Sequence, residues 1–311
     1  MSLNNFIPQL WGDTLLVALR KNLVYGGLVN RDWEGQIKQM GDTVRINMIG
    51  DITISSYSKD TDLAAAQSLT DAQLQLTITQ AKYFNFEIDD VDQAQAANGG
   101  AIMQEAMSWA AYRLRDTIDQ YLAGFYADTA ATNTLNSGSP ITTLVAPTQA
   151  NVGTGNTVYD KIVLLGQLLT QSAVPIQGRW CVIPPWGKTQ LTMDVRFSGF
   201  NTASAQSTLQ SGTLTDSDRD PSDSYLGRIE NMDVYESLNA PHTAGTYGVS
   251  ASSQDVFLAG HPMAWTMAEG INKTEAYRPP LRFADAVKGL VLYGAKTVRP
   301  YALAYGILQA P

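Results

Sequence analysis

The sequence predicts an α+β fold, in which strands and helices occupy separate stretches of the chain. Three observations lead to this prediction. Two runs, at 43–55 and 73–88, keep a two-residue alternation of apolar and polar side chains. A helical periodicity follows at 101–127, and short strand patterns dominate the C-terminal part. Strands and helices that do not alternate regularly are typical of α+β proteins.

Composition limits what kind of protein this is. The chain has 311 residues, enough to bury the core of one large domain or two. Only 16% of residues are charged, against roughly 25% in typical soluble domains. A low charged fraction is typical of a protein whose surface is largely buried against neighbouring molecules. It also fits a β-rich protein that uncharged polar residues keep soluble. The net charge of −8 argues against a general attraction to nucleic acid phosphates.

The N-terminal stretch predicts a short amphipathic helix and no targeting signal. Pro8 suits a first helical turn, and Trp11, Leu15 and Leu19 recur at helical spacing before Gly26. No basic and apolar leader opens the chain, and no apolar run is long enough to cross a bilayer. A single cysteine excludes an intrachain disulfide and fits a reducing compartment. We therefore expect a cytoplasmic protein without a membrane partner.

The two alternating runs predict a long hairpin with one apolar side. Alternate residues of a strand point to opposite faces, and each run extends over about 40 Å or more, twice a typical strand or longer. A polar tip at 58–62 lies between the runs. We interpret the hairpin as an arm that lies on another molecule, most economically a second copy. Its apolar side carries Val44, Ile46, Met48, Ile52 and Ile54 in the first run and Leu74, Leu76, Ile78, Phe84, Phe86 and Ile88 in the second.

The remaining elements follow in order along the chain. A long helix is predicted at 101–127, where Met103, Leu114 and Ile118 belong to an apolar stripe. Residues 129–156 are rich in turn formers and mark a domain transition. Thr157 and Asp160 predict a helix start by a capping box. Beyond this helix we predict a strand at 180–183, a helix at 185–193, a long polar loop at 198–224, and strands at 227–237, 254–259, 265–269 and 290–298.

Residues that could carry chemistry are few and do not form recognisable sets. The two histidines, His242 and His261, lie in loop-like contexts beside proline, and Cys181 lies in an apolar strand. Gly187-Lys188-Thr189 imitates the end of a phosphate-binding loop, but the preceding prolines remove the N–H donors such a loop needs. We therefore predict no catalytic and no cofactor-binding residue.

One acidic loop has the spacing of a calcium site but lacks its essential residues. Asp216, Asp218, Asp220 and Asp223 are spaced as in an EF-hand loop. A proline stands where that loop needs glycine, and Gly227 where it needs the bidentate glutamate. We predict a solvated acidic loop and no metal site.

Three groups of motifs occur in a distinctive order. The first group is Phe6-Ile7-Pro8-Gln9-Leu10-Trp11 with Asn30-Arg31-Asp32-Trp33-Glu34-Gly35, and the second is Gly41-Asp42-Thr43-Val44-Arg45-Ile46. The third combines Tyr277-Arg278-Pro279, Arg282-Phe283-Ala284-Asp285 and Tyr293-Gly294-Ala295-Lys296-Thr297-Val298-Arg299-Pro300. Arranged around a long hairpin and a long helix, they resemble the major capsid proteins of tailed bacteriophages.

The resemblance implies the Hong Kong 97-like capsid fold. Its parts map onto this chain as an N-terminal arm at 1–34, an extended β-loop with its base strands at 35–97, and a peripheral domain with a spine helix at 98–149. An axial domain then occupies 150–260, and 261–311 return to the peripheral domain. No removable scaffolding segment is expected before Pro8, and the loop at 198–224 is too short for an inserted axial domain.

The resemblance also implies a function and partners. The expected protein is a non-enzymatic coat subunit that assembles as pentamers and hexamers into an icosahedral phage head. It would enclose double-stranded DNA without sequence-specific contacts and could meet scaffold, portal and decoration proteins. Its location would be the virion, after assembly in the host cytoplasm. The alternatives are a nanocompartment shell protein of the encapsulin kind and, less favoured, a metal-dependent hydrolase that uses the acidic loop.

The residues expected to contact neighbouring subunits come from the arm and the motifs. They are Trp11, Trp33, Ile52, Ile54, Leu74, Leu76, Ile78 and Arg278.

Overall fold

The fold was analysed in a computed structural model. It describes residues 24–32, 43–49, 52, 54, 56, 59, 62, 71–90, 101–148, 151, 154–194, 224–244, 253–269 and 273–310. The predicted N-terminal helix at 8–19, the loop at 198–224 apart from its last residue, and the four aspartates of this loop lie outside this range, as do Trp11 and Trp33.

The described helices confirm the predictions of a long helix from 101, a helix that starts at 157 and a helix at 185–193. They are α1 (Val24–Gly27), α2 (Ala101–Ala123), α3 (Val158–Gln171) and α4 (Pro185–Met193). The long helix α2 continues as a 3₁₀ helix over Gly124–Asp128. At the start of α3, the Thr157 hydroxyl accepts from the Asp160 N–H, and the Asp160 carboxylate accepts from the Thr157 N–H. This reciprocal pairing is the predicted capping box.

The described strands form three sheets. They are β1 (Thr43–Ile49), β2 (Asp71–Thr77), β3 (Gln80–Asp89), β4 (Arg179–Ile183), β5 (Tyr225–Ile229), β6 (Met232–Glu236), β7 (His242–Ala244), β8 (Gln254–Gly260), β9 (Trp265–Glu269), β10 (Lys273–Tyr277), β11 (Ala284–Thr297) and β12 (Leu303–Gln309).

The first two sheets contain the hairpin and its base. Strands β1 and β2 pair antiparallel over seven residues each, with Thr43 opposite Thr77 and Ile49 opposite Asp71, which confirms the hairpin. The second sheet is built on the 14-residue strand β11. One edge of β11 pairs with β3, and the other edge pairs first with β10 and then with β9. All of these pairings are antiparallel.

The third sheet has six strands in the order β12-β8-β4-β6-β5, with β7 added beside β8. The pairing of β4 with β6 is parallel, and the other pairings are antiparallel. Strand β4 lies in the middle and is buried along its whole length. Helix α3 packs on this sheet through Ile162, Leu165 and Leu169, all fully buried.

One hydrophobic core joins the two larger sheets and the long helix. Ile118 and Leu122 of α2 belong to the same cluster as Val182 of β4 and Tyr293 of β11. Burial of each large apolar side chain contributes roughly 1.5 to 3 kcal/mol. The shared cluster therefore makes α2 and both sheets one packed body.

The segment at 24–31 is fixed between α2 and β9. The Asp119 carboxylate of α2 accepts a hydrogen bond from the Tyr25 N–H at 2.9 Å. Asn30 accepts from the Met267 N–H and donates its own N–H to the Trp265 carbonyl. Further along, Arg31 lies 3.8 Å from the Glu269 carboxylate. These contacts attach the end of the predicted N-terminal arm to its own subunit.

The second alternating run is not a single limb, as the sequence suggested. Strand β2 ends at Thr77, and β3, which begins at Gln80, pairs with β11 instead of β1. The chain passes over β11 at Gly294, where an added Cβ would lie 2.4 Å from the Thr77 carbonyl oxygen. Only glycine allows this close approach, so the change of sheet depends on a residue more than 200 positions away.

Other differences concern the C-terminal half. The predicted strand at 227–237 is a hairpin that turns at Glu230 and Asn231, both at positive φ. Strands β7, β10 and β12 were missed, and β11 begins at Ala284 instead of residue 290. Strand β10 is polar and partly exposed, whereas β12 is mostly buried, so neither shows a clean alternation.

Candidate intersubunit surface

The root of the hairpin is anchored in its own subunit. Ile46, Leu76 and Ile78 form a buried cluster with Ala268 of β9 and Leu292 of β11, separate from the main core. In the single chain Leu76 is 0% exposed and Ile78 is 2% exposed. These two side chains have no surface left for a neighbour, so their expected intersubunit role is corrected. The alternation identified the apolar face of the strand but could not show which molecule covers it.

The distal part of the hairpin is different. Ile52 is 69% exposed and Ile54 is 94% exposed in the single chain. Leu74 is half-buried and packs against the root cluster. The apolar side of the arm therefore changes from covered at its root to open further out. An exposed row of β-branched side chains is the kind of surface that a second molecule buries.

The turn between β10 and β11 forms a second exposed surface. Arg278 lies 2.5 Å from an Asp90 carboxylate oxygen and 2.9 Å from one of Asp285, and Arg282 pairs with Glu87. Asp90 also donates its backbone N–H to the Phe283 carbonyl. These contacts hold the turn against the end of β3. Arg278, expected to reach a neighbour, is thus already paired within its own chain.

This turn presents two large apolar side chains that were not among the predicted contact residues. Leu281 and Phe283 are almost fully exposed. Isolated exposed apolar residues are common on monomers, but two of them on a turn held by ion pairs form a defined surface. The available signal was the pair of prolines at 279 and 280, which predicts a turn flanked by apolar residues.

His242 does have a carboxylate partner, which the sequence did not reveal. Its Nδ1 lies 2.8 Å from an oxygen of the fully buried Asp255, and the other Asp255 oxygen accepts from Trp186 Nε1 at 2.6 Å and Ser253 Oγ at 2.8 Å. The serine therefore bonds to the carboxylate and not to the imidazole. Serine catalysis needs the hydroxyl to donate to the histidine, so this arrangement is a buried structural network.

The other candidate reactive groups are held in inert settings. Burial raises the pKa of the Cys181 thiol to about 12, which keeps it protonated. Met263 donates its N–H to His261 Nδ1, while the Nε2 of that ring lies 3.0 Å from the Gln177 carbonyl. Desolvation lowers the pKa of His261. Lys188 lies inside α4 and pairs with Glu236 at 2.6 Å.

No group of three or more acidic, histidine or cysteine side chains is arranged to hold a metal ion within the described part of the chain. None of the helices described here has the length and hydropathy needed to cross a membrane.

The comparison with protein families decides the identity. A model of the family described as phage capsid protein matches residues 73–306, well over half of the chain. The chain belongs to the phage capsid protein family. Its role is therefore that of a major capsid protein, a structural component of the phage particle. No curated protein sequence matches this capsid protein.

Solved structures agree with this family. A Mycobacterium phage Che8 structure is 27% identical with a TM-score of 0.67, and the match covers 98% of each chain. The mature capsid of bacteriophage PhiM1 is 17% identical with a TM-score of 0.62, covering 92% of this chain and 87% of that one. A holo-SrpI encapsulin complex from Synechococcus elongatus is 9% identical with a TM-score of 0.54, covering 88% and 85%. The last two likenesses concern the fold alone.

Proposed function

We propose that this capsid protein is the coat subunit of an icosahedral phage head with a Hong Kong 97-like architecture. The observation that carries the proposal is the hairpin, which is buried at its root and exposed at Ile52 and Ile54. Burial of these side chains by a neighbouring subunit is the simplest explanation of their exposure in the single chain. Each buried isoleucine contributes roughly 1.5 to 3 kcal/mol, so contacts repeated around a ring offset the cost of fixing the subunits.

The two larger sheets support a division into regions. We assign 1–34 to the N-terminal arm, 35–97 to the extended loop and its base, and 98–149 with 261–311 to the peripheral domain. The axial domain is 150–260, which contains α3, α4 and strands β4 to β8 of the six-stranded sheet. Strand β12 crosses this division, because it comes from the C-terminal segment yet pairs with β8.

The proposed contents are double-stranded DNA held without sequence-specific contacts. A subunit with a net charge of −8 releases few counterions from DNA, so the lining does not grip phosphates. Weak attraction allows DNA to be packed and released. We also propose a non-enzymatic role, assembly as pentamers and hexamers in the host cytoplasm, and contacts with scaffold, portal or decoration proteins.

Electron microscopy of the purified protein tests this function. We expect closed shells or tubes at high protein concentration. A small discrete oligomer under all assembly conditions would overturn the proposal. The contents of particles purified from infected cells provide a second readout. Particles that hold packaged DNA should show the ultraviolet absorbance spectrum of nucleic acid.

A nanocompartment shell is the second candidate, because the fold is also similar to the encapsulin complex. Such a shell would enclose a cargo protein in place of DNA. Particles that contain a stoichiometric second protein and no nucleic acid would favour it. The low identity of 9% to that structure, against 27% to the Che8 structure, makes the phage head the better supported function.

A further inference from the structure

The ring of His261 holds the segment through which the chain passes from the six-stranded sheet to the four-stranded sheet. This crossover segment, 261–264, leads from β8 into β9. Nδ1 of the ring lies 3.1 Å from the backbone nitrogen of Met263, which donates to it. Nε2 lies 3.0 Å from the Gln177 carbonyl oxygen, in the turn between α3 and β4. The imidazole therefore connects two parts of the backbone that are 84 residues apart in the sequence.

These two contacts fix the protonation state of the His261 ring. A carbonyl oxygen can only accept a hydrogen bond, so Nε2 carries the proton that Gln177 accepts. The Met263 N–H can only donate, so Nδ1 presents its lone pair. The neutral Nε2–H tautomer is thus the form of imidazole that satisfies both partners. A proton added to Nδ1 would face the Met263 N–H and would break that bond.

The surroundings of the ring also disfavour a positive charge. Desolvation lowers the pKa of His261, the bond to the Gln177 carbonyl partly opposes this effect, and the charges of Arg179 and Arg299 lower the pKa further. Arg179 belongs to β4, and Arg299 precedes the turn at 300–302. The other residues of the turn at 172–178 and of the crossover segment are not titratable, and 300–302 adds only the phenol of Tyr301. At neutral pH the ring is therefore uncharged.

The rest of the crossover segment is held without the imidazole. The His261 N–H donates to the Ala302 carbonyl at 3.2 Å, and the Ala264 carbonyl accepts from the N–H groups of Val298 and Arg299. The strands on either side pair with β12 and β11 through their backbones. Loss of the bonds to the ring would therefore open the segment locally and leave both sheets paired.

We propose that His261 is an acid-sensitive switch, which keeps the crossover segment closed while its ring is neutral and lets the segment open when Nδ1 takes up a proton. Opening would free Met263, whose side chain is already 41% exposed, from its contact with the ring. The switch belongs to the single subunit and does not depend on the proposed shell function.

The direction of the pH dependence follows from the lowered pKa of the closed ring. In the opened segment the ring titrates near its ordinary pKa of 6.5. The closed form therefore binds fewer protons than the opened form. Its stabilising effect is complete above pH 6.5 and is lost as pH falls through the pKa of the closed ring. Each pH unit between the two pKa values corresponds to about tenfold more opening at low pH.

The first experiment follows the ring and its partner by NMR in dissociated, full-length subunits. The chain has two histidines, so the variant H261N assigns their ring signals, and M263L assigns the Met263 amide in ¹⁵N-methionine-labelled protein. We expect His261 to titrate below pH 6.5 and the Met263 amide signal to change with the same midpoint. An amide signal that stays constant while the ring gains its proton would overturn the switch.

The second experiment measures opening by hydrogen exchange of a peptide that contains 261–264, corrected for intrinsic exchange rates, between pH 7 and 5. In H261N the asparagine oxygen can accept from the Met263 N–H, as N-cap side chains do, but it does not titrate. We expect the wild type to lose protection towards pH 5 and H261N to keep it. The same loss in both proteins would mean that His261 is not the switch.

A third comparison changes the charge near the ring and leaves the bonds of the ring in place. R299Q removes one of the two cations that lower the pKa of His261, so the midpoint of opening should move to higher pH at low ionic strength. R228Q is the matched control, because Arg228 is exposed and is not among the charges that act on the ring. An identical midpoint in both variants would contradict protonation of His261 as the trigger.

Discussion

The indole rings of Trp180 and Trp265 are stacked, with centroids 5.4 Å apart and planes inclined by 15°. Trp180 belongs to the central strand of the six-stranded sheet and Trp265 begins β9 of the four-stranded sheet. Both side chains are buried, and Tyr25 contacts Trp265 edge-on at 6.3 Å. The stack thus joins the two sheets and the N-terminal segment at one point.

Replacing Trp265 with alanine should therefore destabilise the whole subunit. We expect a loss of about 3 to 5 kcal/mol in the free energy of unfolding, because a large cavity opens where three elements meet. Urea denaturation of dissociated subunits gives this value. W109A is the matched control, because Trp109 is exposed on α2 and should cost less than about 1 kcal/mol. Equal losses for both variants would contradict the joining role of the stack.

The two ends of the hairpin should respond oppositely to an introduced charge. I54D places aspartate on an exposed position, so folding should change by less than about 0.5 kcal/mol while shell assembly is lost. L76D buries a charge in the root cluster and should prevent folding of the hairpin base. Circular dichroism melting reports folding, and electron microscopy reports assembly. Normal shells from I54D would exclude the distal hairpin from the intersubunit contact.

Asp119 should make stability fall as pH rises. Desolvation, partly opposed by hydrogen bonds from Asn239 and Tyr25, raises the pKa of its carboxyl from 3.8 to about 6. The folded protein therefore holds a proton that the unfolded chain releases. Its stabilising effect is complete below pH 3.8 and is lost as pH rises through about 6. The expected change is about 2 to 3 kcal/mol.

This pH dependence is measured as the difference between wild type and D119N, followed by urea denaturation from pH 3.5 to 7. The asparagine variant does not titrate, so the difference should change across this window. A flat wild-type-minus-D119N curve would show that Asp119 titrates alike in the folded and unfolded chains.

Arg179 should be essential because it satisfies the carbonyls at the end of α3. Its guanidinium donates to Gly166, Val174 and Pro175, and to the Thr170 hydroxyl. R179M keeps most of the side-chain volume but leaves these acceptors without a donor, at a cost of about 3 kcal/mol or more. R228M removes the exposed guanidinium of Arg228, which lies 3.8 Å from Asp233, and should cost less than R179M, because solvent screens this pairing. Thermal unfolding of both variants compares the two effects.

Local patterns were enough to predict several elements of the fold. The Thr157–Asp160 capping box is written in four consecutive residues, and the strand at 180–183 is marked by a short apolar run. The spacing of Leu114 and Ile118 likewise predicts the buried face of α2. In each case the interaction that fixes the structure lies within a few residues, where periodicity and propensity act.

Features that depend on distant partners were not predictable in this way. The break between β2 and β3 depends on Gly294, and the burial of Leu76 depends on Leu292. The pairing of His242 with Asp255 needs the β7–β8 pairing to bring them together. Each of these is a property of tertiary packing, which a one-dimensional pattern does not contain.

The order of the strands along the chain has a consequence for synthesis on the ribosome. Strand β3 finds its partner β11 only about two hundred residues later, and β8 receives β12 from about 40 residues further along the chain. A nascent chain grows at roughly 5 to 20 residues per second, so neither sheet is complete until β11 and β12 have been synthesised. Leu292, which packs against the root of the hairpin, is also synthesised long after the hairpin itself. The apolar root of the hairpin therefore stays uncovered on the ribosome until Leu292 has been synthesised.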